Sequence, residues 1–379
     1  MKFIHLSDLH IGKRVNEFSM LEDQEYILKS IQKIVEEEKP DAVLIAGDVY
    51  DKSVPSAEAV TLFDSFLASL SKMKTEVFVI SGNHDSAERI AFASEILDAE
   101  GIHMSPIYDG NIRPVTVKDK FGEILVYMLP FVKPVHVRAT LPEEERESII
   151  TYDDAVRAAI AKMNIDESKR NVLITHQFVT GAETCESEDR SVGGTDEIDV
   201  KTFEAFDYVA LGHIHRPQKC GRETVRYCGT PLKYSFPECN DKKSVTIVEM
   251  AEKGNVEIRT IPLIPKRDWV ELRGTYDELM TKSYYEGTNW RTDYVHVTLT
   301  DEDDIPEAMN RLRTVYSNIM KLDYDNKRTR ENKIISGADN VESKSPAELF
   351  SELFEQQYNQ PMSEEQRKFA EELINTIWG

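Results

Sequence analysis

Five short apolar runs within residues 1–215 each stop at a cluster containing Asp, Asn or His. The clearest is Val43-Leu44-Ile45-Ala46-Gly47-Asp48-Val49, which has the length and composition of a strand covered on both faces. It is closed by a glycine, with one carboxylate just past its end. The other runs deliver Asp8 and His10, Asn83 and His84, His176, and the alternating pair His213 and His215. Loops at strand ends are where rigid scaffolds hold chemistry. An aspartate there could simply cap the next helix, and a lone histidine such as His176 could be a satisfied core residue. Asn83 with His84, and two imidazoles at alternate positions, are seldom needed for packing. The five ends together predict one site in which Asp48 is shared between two metal ions.

Around these runs, residues 1–265 alternate strands and helices. Strands are expected at Phe3–Leu6, Ala42–Ala46, Val77–Ile80, Val172–Thr175 and Tyr208–Leu211, with a hairpin from 112–117 and 124–128. Helices are expected over 20–38, 56–73, 87–99 and 153–163. Three late strands without crossover helices favour an α/β (α+β) two-sheet sandwich flanked by helices over a single doubly wound sheet. After Pro262–Pro265, residues 266–335 read as a small α+β unit, with a capping box at Thr275 and Glu278. Residues 336–379 read as a polar linker followed by two helices, 345–358 and 363–378. That helix pair carries apolar faces (Leu349, Phe350, Leu353, Phe354; Phe369, Leu373, Ile377, Trp378) and either folds back or docks on another protein.

The net charge of −22 excludes nucleic-acid binding through a broad basic surface. Any affinity for DNA has to come from bound metal, from local cations or from a partner. The one basic region is 311–333, with Arg311, Arg313, Lys321, Lys327, Arg328, Arg330 and Lys333. It fits a solvated edge and a nucleic-acid patch equally well. No apolar run approaches the roughly 18 residues of a membrane span. The chain enters a strand at once, without a signal peptide, and its four cysteines lack C-x-x-C spacing. A cytoplasmic protein with free thiols is expected.

The donor types agree with a two-metal site. Carboxylate, amide oxygen and imidazole suit Mn²⁺, Fe²⁺ or Zn²⁺, and the lack of thiolate argues against a structural zinc. Ions about 3.5–4 Å apart need a bridging anion, which Asp48 supplies. With only Asp8 and Asp48 to offset two divalent cations, the surplus charge favours ionised water and a phosphodiester.

The order Asp-x-His, Gly-Asp, Gly-Asn-His-Asp, His, Gly-His-x-His resembles the calcineurin-like metallophosphoesterase superfamily. The runs 3–12, Gly82-Asn83-His84-Asp85-Ser86 and Tyr227–Phe236 are most similar to its SbcD branch of DNA-repair nucleases. That resemblance implies a metal-dependent DNA exonuclease and endonuclease in 1–265, a capping and DNA-binding domain in 266–335, and helices in 336–379 that bind an SbcC-type ATPase. It implies two divalent ions, Mn²⁺ foremost: one held by Asp8, His10, Asp48 and His215, the other by Asp48, Asn83, His176 and His213. His84 would face the scissile phosphate without ligating metal, and Asp85 would orient it. A homodimer would form through helices bearing Val60, Phe63, Phe66, Leu67, Leu70, Phe92 and Ile96, although core packing suits several of these as well. The loop 189–195, with Gly193 and Gly194, reads first as an ordinary mobile loop and second as a flank of the DNA channel. One departure is visible: where some relatives carry a second active-site histidine after Gly-Asp, this chain has Asp51.

Overall fold

The computed structural model describes residues 1–184, 188, 197–327, 329, 350, 351, 354 and 362–378. The chain divides into two compact units: Met1–Glu271 with Thr292–Val295, and Leu272–Arg291 with the chain from His296 onward.

The first unit holds two six-stranded sheets. In one, Lys2–Leu6, Ala42–Ala46, Glu76–Ile80 and Ile102–Met104 run parallel, and Ser244–Met250 and Val256–Pro262 add antiparallel strands beyond Lys2–Leu6. In the other, Arg222–Tyr227, Tyr208–Gly212, Arg170–His176 and Gly122–Leu129 are parallel, with antiparallel edges at Gln218–Cys220 and Val115–Asp119. The expected two-sheet sandwich is present, and each sheet has a parallel centre.

One apolar cluster joins the sheets. Phe3, Leu44, Phe78 and Ile80 from one meet Val126, Ile174, Tyr208 and Ala210 from the other. Side chains alternate along a strand, so Val43 and Ile45 point to the opposite face, where they too are fully buried. The Leu21–Glu38 and Ala57–Lys72 helices bury Ile27, Ile31, Val35, Phe63, Phe66 and Leu70. A second cluster puts Val137, Val156 and Ala159 of the intervening helices with Leu173, Val209 and Val225 of the second sheet. Covering both faces is why these strands read as continuous apolar runs.

Several elements differ from expectation. The helix over 87–99 is broken into Ala87–Ile90 and Ser94–Asp98, because Ala93 takes a left-handed conformation at φ 59°. Of the expected dimer face, Phe63, Phe66, Leu67 and Leu70 are core, while Val60, Phe92 and Ile96 are exposed. A short helix, Ala308–Leu312, lies in the second unit. The first compact unit runs on to Glu271 and takes in the first residues of the Trp269–Gly274 strand. There Trp269 packs edge-on to Phe236 at 4.8 Å, and Tyr294 Oη donates to buried Asp23 at 2.7 Å.

The second unit carries most of a three-stranded sheet in the order Trp269–Gly274, Tyr294–Leu299, Asn318–Tyr324. The capping box at Thr275 and Glu278 forms as read. Arg311 and Arg313 are exposed, and Lys321 pairs with Asp323 at 2.8 Å. At the end of the chain, the Glu364–Trp378 helix starts on a Ser363–Gln366 reciprocal cap and exposes Phe369 and Leu373. The loop 189–195, the linker 336–345 and most of the helix expected at 345–358 lie outside the described residues. Among the described residues Cys220, Cys228 and Cys239 are free thiols.

Leu44 sits at the centre of the inter-sheet cluster, so Leu44→Ala should cost about 2–5 kcal/mol of stability. A urea titration following the first unit should show the loss as an earlier midpoint.

Candidate metal centre

In both sheets the parallel strands end on the same side, and the site residues occupy those ends. The loops after Lys2–Leu6 and Ala42–Ala46 run side by side. Asp8 N–H donates to Gly47 O (3.1 Å), His10 N–H to Asp48 O (2.9 Å) and Ile11 N–H to Val49 O (2.9 Å). This stitching holds three site residues off the ideal backbone. Asp8, His10 and Asp48 have φ of 52°, 44° and 48°, and His213 has 106°. Positive φ costs a non-glycine residue about 1–3 kcal/mol and clusters at functional sites. The glycines of the motifs have a steric reason. A Cβ on Gly212 would lie 1.8 Å from Ala46 O, and one on Gly82 would lie 2.1 Å from Asp48 Oδ1. The two sheets could not close over Asp48 with larger residues there.

All seven expected ligands converge. Asp8, His10 and His215 present donor atoms within 4.8 Å of one another, as do Asp8, Asp48 and His176. On one side of Asp48, His10 Nε2 lies 3.7 Å from its Oδ2 and 3.2 Å from His215 Nε2. On the other, His176 Nε2 lies 3.4 Å from Asp48 Oδ2, and Asn83 Oδ1 lies 2.9 Å from His176 Nε2 and 3.0 Å from His213 Nδ1. Asp8 accepts the His213 backbone amide through both oxygens, at 3.1 and 3.2 Å.

The residues fit two cations by tautomer and by charge. His176 Nδ1–H donates to Ala46 O at 2.8 Å, which leaves Nε2 as the ligating atom. Nε2 faces two acceptors, Asp48 and Asn83, an arrangement that needs a cation between them. Without metal a proton serves: burial works against it, but the Asp48 carboxylate raises His176 to about 9. Burial likewise disfavours the charge on Asp48, yet the imidazoles of His176, His10 and His84 hold its carboxyl well below the usual range. Burial, reinforced by Asp48, pushes Asp8 up to about 7. His10 and His215 are driven well below the ordinary imidazole value by burial, so their facing nitrogens are neutral, and His10 Nδ1 is buried with no hydrogen-bond partner among the described residues. Neutral imidazoles that share a cavity with two carboxylates are metal ligands in waiting.

His84 stands at the opening. Its Nδ1–H donates to Asp51 O at 3.0 Å, its amide donates to Asp48 Oδ1 at 2.9 Å, and its Nε2 lies 3.9 Å from Asp48 Oδ2. His10, Asp48 and His84 also present donor atoms within ligand range of one another. The expected link between Asp85 and His84 takes a different form. Asp85 accepts the amides of Gly82 (2.9 Å), Tyr50 (2.9 Å) and Val49 (3.1 Å). These amides restrain an Asp85 pKa that burial and the Asp48 charge raise to about 6. Asp85 thus ties together the loops that carry Asp48 and His84.

Sequence reasoning missed the support behind the ligands. Gln24 donates to His10 O at 2.7 Å, and Tyr234 Oη donates to Leu9 O at 2.8 Å. Lys243, paired with buried Glu238, donates to His215 O at 2.9 Å, and Glu188 accepts the His215 amide at 2.6 Å. The run Tyr227–Phe236 signalled the Tyr234 contribution. Gln24 and Glu188 carry no local signal.

Comparison with known proteins agrees with this geometry. Residues 1–217 match the calcineurin-like phosphoesterase family, and residues 265–358 match a family described as the type 5 capsule protein repressor C-terminal domain. A protein of Staphylococcus epidermidis, named as the SbcD component of nuclease SbcCD, is 31% identical over 326 residues, 85% of each chain. Its namesake from Staphylococcus saprophyticus is 31% identical over 330 residues, 85% of this chain and 84% of its own. The chain belongs to the SbcD nuclease family of calcineurin-like phosphoesterases. A solved dimetal phosphatase from Danio rerio aligns with 70% of this chain and 99% of its own, at 12% identity and a TM-score of 0.41. As a member of the SbcD family, the chain is a metal-dependent phosphoesterase, and its buried Asp and His clusters have the spacing to hold divalent cations.

Metal must displace the protons on His176 and Asp8. Below about pH 7 both are protonated in the metal-free site, between about 7 and 9 only His176 is, and above 9 neither is. Divalent-metal affinity should therefore climb with pH up to about 9, as fewer protons have to be displaced from His176 and Asp8. Calorimetry in buffers of different ionisation enthalpy measures both. An affinity flat from pH 6 to 9 would contradict these protonation states.

Proposed function

We propose that this chain is the nuclease subunit of an SbcCD-type complex. It hydrolyses DNA phosphodiesters at double-strand ends and hairpins, as a 3′–5′ exonuclease and an endonuclease, in DNA repair and recombination. The observation that carries this is the pair of ligand sets sharing Asp48, one with Asp8, His10 and His215 and the other with Asn83, His176 and His213. Asp48 supplies the anion between the two positions, and the all-oxygen-and-nitrogen donor set suits Mn²⁺. When bound, the ions supply an ionised water and polarise the scissile phosphate. His84, anchored at Nδ1, keeps Nε2 directed into the site, where it stabilises charge on the transferring phosphate and helps protonate the leaving oxygen. Asp85 holds the two loops on which Asp48 and His84 stand.

The wider reading extends to partners. The exposed Arg311 and Arg313 of the second unit, with the basic positions that follow, supply local cations to DNA. The helices of 336–379 dock on an SbcC-type ATPase, to which the exposed Phe369 and Leu373 offer an apolar face. Homodimer contacts would use exposed Val60, Phe92 and Ile96. The setting is the cytoplasm, at the nucleoid. No described helix is long and apolar enough to cross a membrane.

With Mn²⁺, the purified chain should degrade labelled linear DNA and leave a phosphopeptide intact; the reverse preference would overturn the nuclease reading. His84→Gln should abolish DNA cleavage while both ions still bind by calorimetry, and loss of metal on this change would reassign His84 as a ligand. Removing residues 346–379 should eliminate binding of the SbcC-type ATPase in a pull-down yet spare cleavage of single-stranded DNA. Unaltered ATPase affinity would contradict the docking role.

A further inference from the structure

Lys13 stands beside the metal ligands without being one. Its side chain is 16% exposed, and Nζ donates to Asp51 Oδ1 at 2.8 Å. Asp51 lies in the wall of the centre. Its carbonyl accepts His84 Nδ1–H at 3.0 Å, and its Oδ1 lies 3.9 Å from His10 Nδ1. The ammonium also sits 5.5 Å above the ring of Tyr234, whose edge meets His10 at 5.8 Å and His215 at 6.5 Å. Lys13 is thus fixed on the His10–His215 side of the site, between the ligand wall and solvent.

An ammonium has three donor hydrogens. Among the described residues Lys13 has one hydrogen-bond acceptor, Asp51, so two donors remain for a ligand. Asp51 and Tyr234 already restrain a side chain that would otherwise give up its rotamer freedom on engaging one. The chain as a whole carries −22, so a polyanion gains nothing from its general field. Attraction has to be local, and this is a preorganised local cation next to the reacting position.

We propose that Lys13, held by Asp51, binds the DNA phosphate adjacent to the scissile one, on the His10–His215 side. This rests on the nuclease reading and adds a substrate-positioning residue to it. Asp51 then serves twice. Its carboxylate aims Lys13 while its backbone carbonyl aims His84, so one residue sets the spacing between the reacting phosphate and its neighbour.

The test compares two substrates with the full chain and Mn²⁺: a single-stranded oligonucleotide, and bis(p-nitrophenyl) phosphate, which has no neighbouring phosphate. Lys13→Met should lower kcat/KM on the oligonucleotide by about tenfold more than on the small diester, mostly through KM, as expected for losing one charged hydrogen bond. The slope of log KM against log salt should fall by about 0.7, the value for one phosphate contact on a single strand. Lys13→Arg should recover both. Equal losses on the two substrates, or DNA cleavage with an unmoved salt slope, would assign Lys13 to holding the Asp51 loop and overturn the proposal alone. A chain that cleaves only the small diester would overturn the nuclease reading and this proposal with it.

Discussion

Asp48 is an anion with 2% of its surface exposed, and the surrounding architecture answers that burial. An isolated carboxylate in such a place would neutralise itself by taking up a proton. Here three imidazoles converge on it from the ends of three different strands, and the protonated His176 among them keeps it charged. The same convergence leaves too many donors and too few protons: neutral His10 and His215 face each other, and His176 faces two acceptors. Divalent cations resolve all of these at once, which is why the metal centre follows from the packing and not from any one motif.

Holding that arrangement has a mechanical requirement. Asp8, His10, Asp48 and His213 all sit at positive φ, and glycines at 82 and 212 admit neighbours that no Cβ would tolerate. Such strain persists only when the surroundings over-determine it. The surroundings are two parallel-centred sheets packed through one apolar cluster, so that strand ends from both open on the same cavity. Buried polar contacts then fix the loops from behind: Gln24 and Tyr234 on the His10 side, Glu238 and Lys243 on the His215 side.

The acidity of the chain and its function as a phosphodiesterase are compatible for the same reason. Charge of the required sign is concentrated in the centre and at a few placed side chains, so the bulk surface can remain anionic. Lys13 illustrates this arrangement, since the carboxylate that restrains it belongs to the residue that also anchors His84.

Much of this was legible in the chain itself. Strands covered on both faces appear as unbroken apolar runs, and the residues that follow them announce metal chemistry by type. That Asp8, His10, Asp48, Asn83, His176, His213 and His215 would share one cavity was readable from the amino-acid order, because they all follow or close apolar strands. The tertiary structure decided what depends on residues distant in sequence. The break at Ala93 comes from left-handed backbone, and Trp269 and Tyr294 pack into the first unit; neither has a local pattern. That Asp85 accepts three amides, that Lys13 pairs with Asp51 and that Gln24 and Lys243 hold the His10 and His215 backbones also lay beyond the sequence. Hydrogen bonds between residues tens to hundreds of positions apart leave no periodicity to read, and only the folded chain brings their partners within reach.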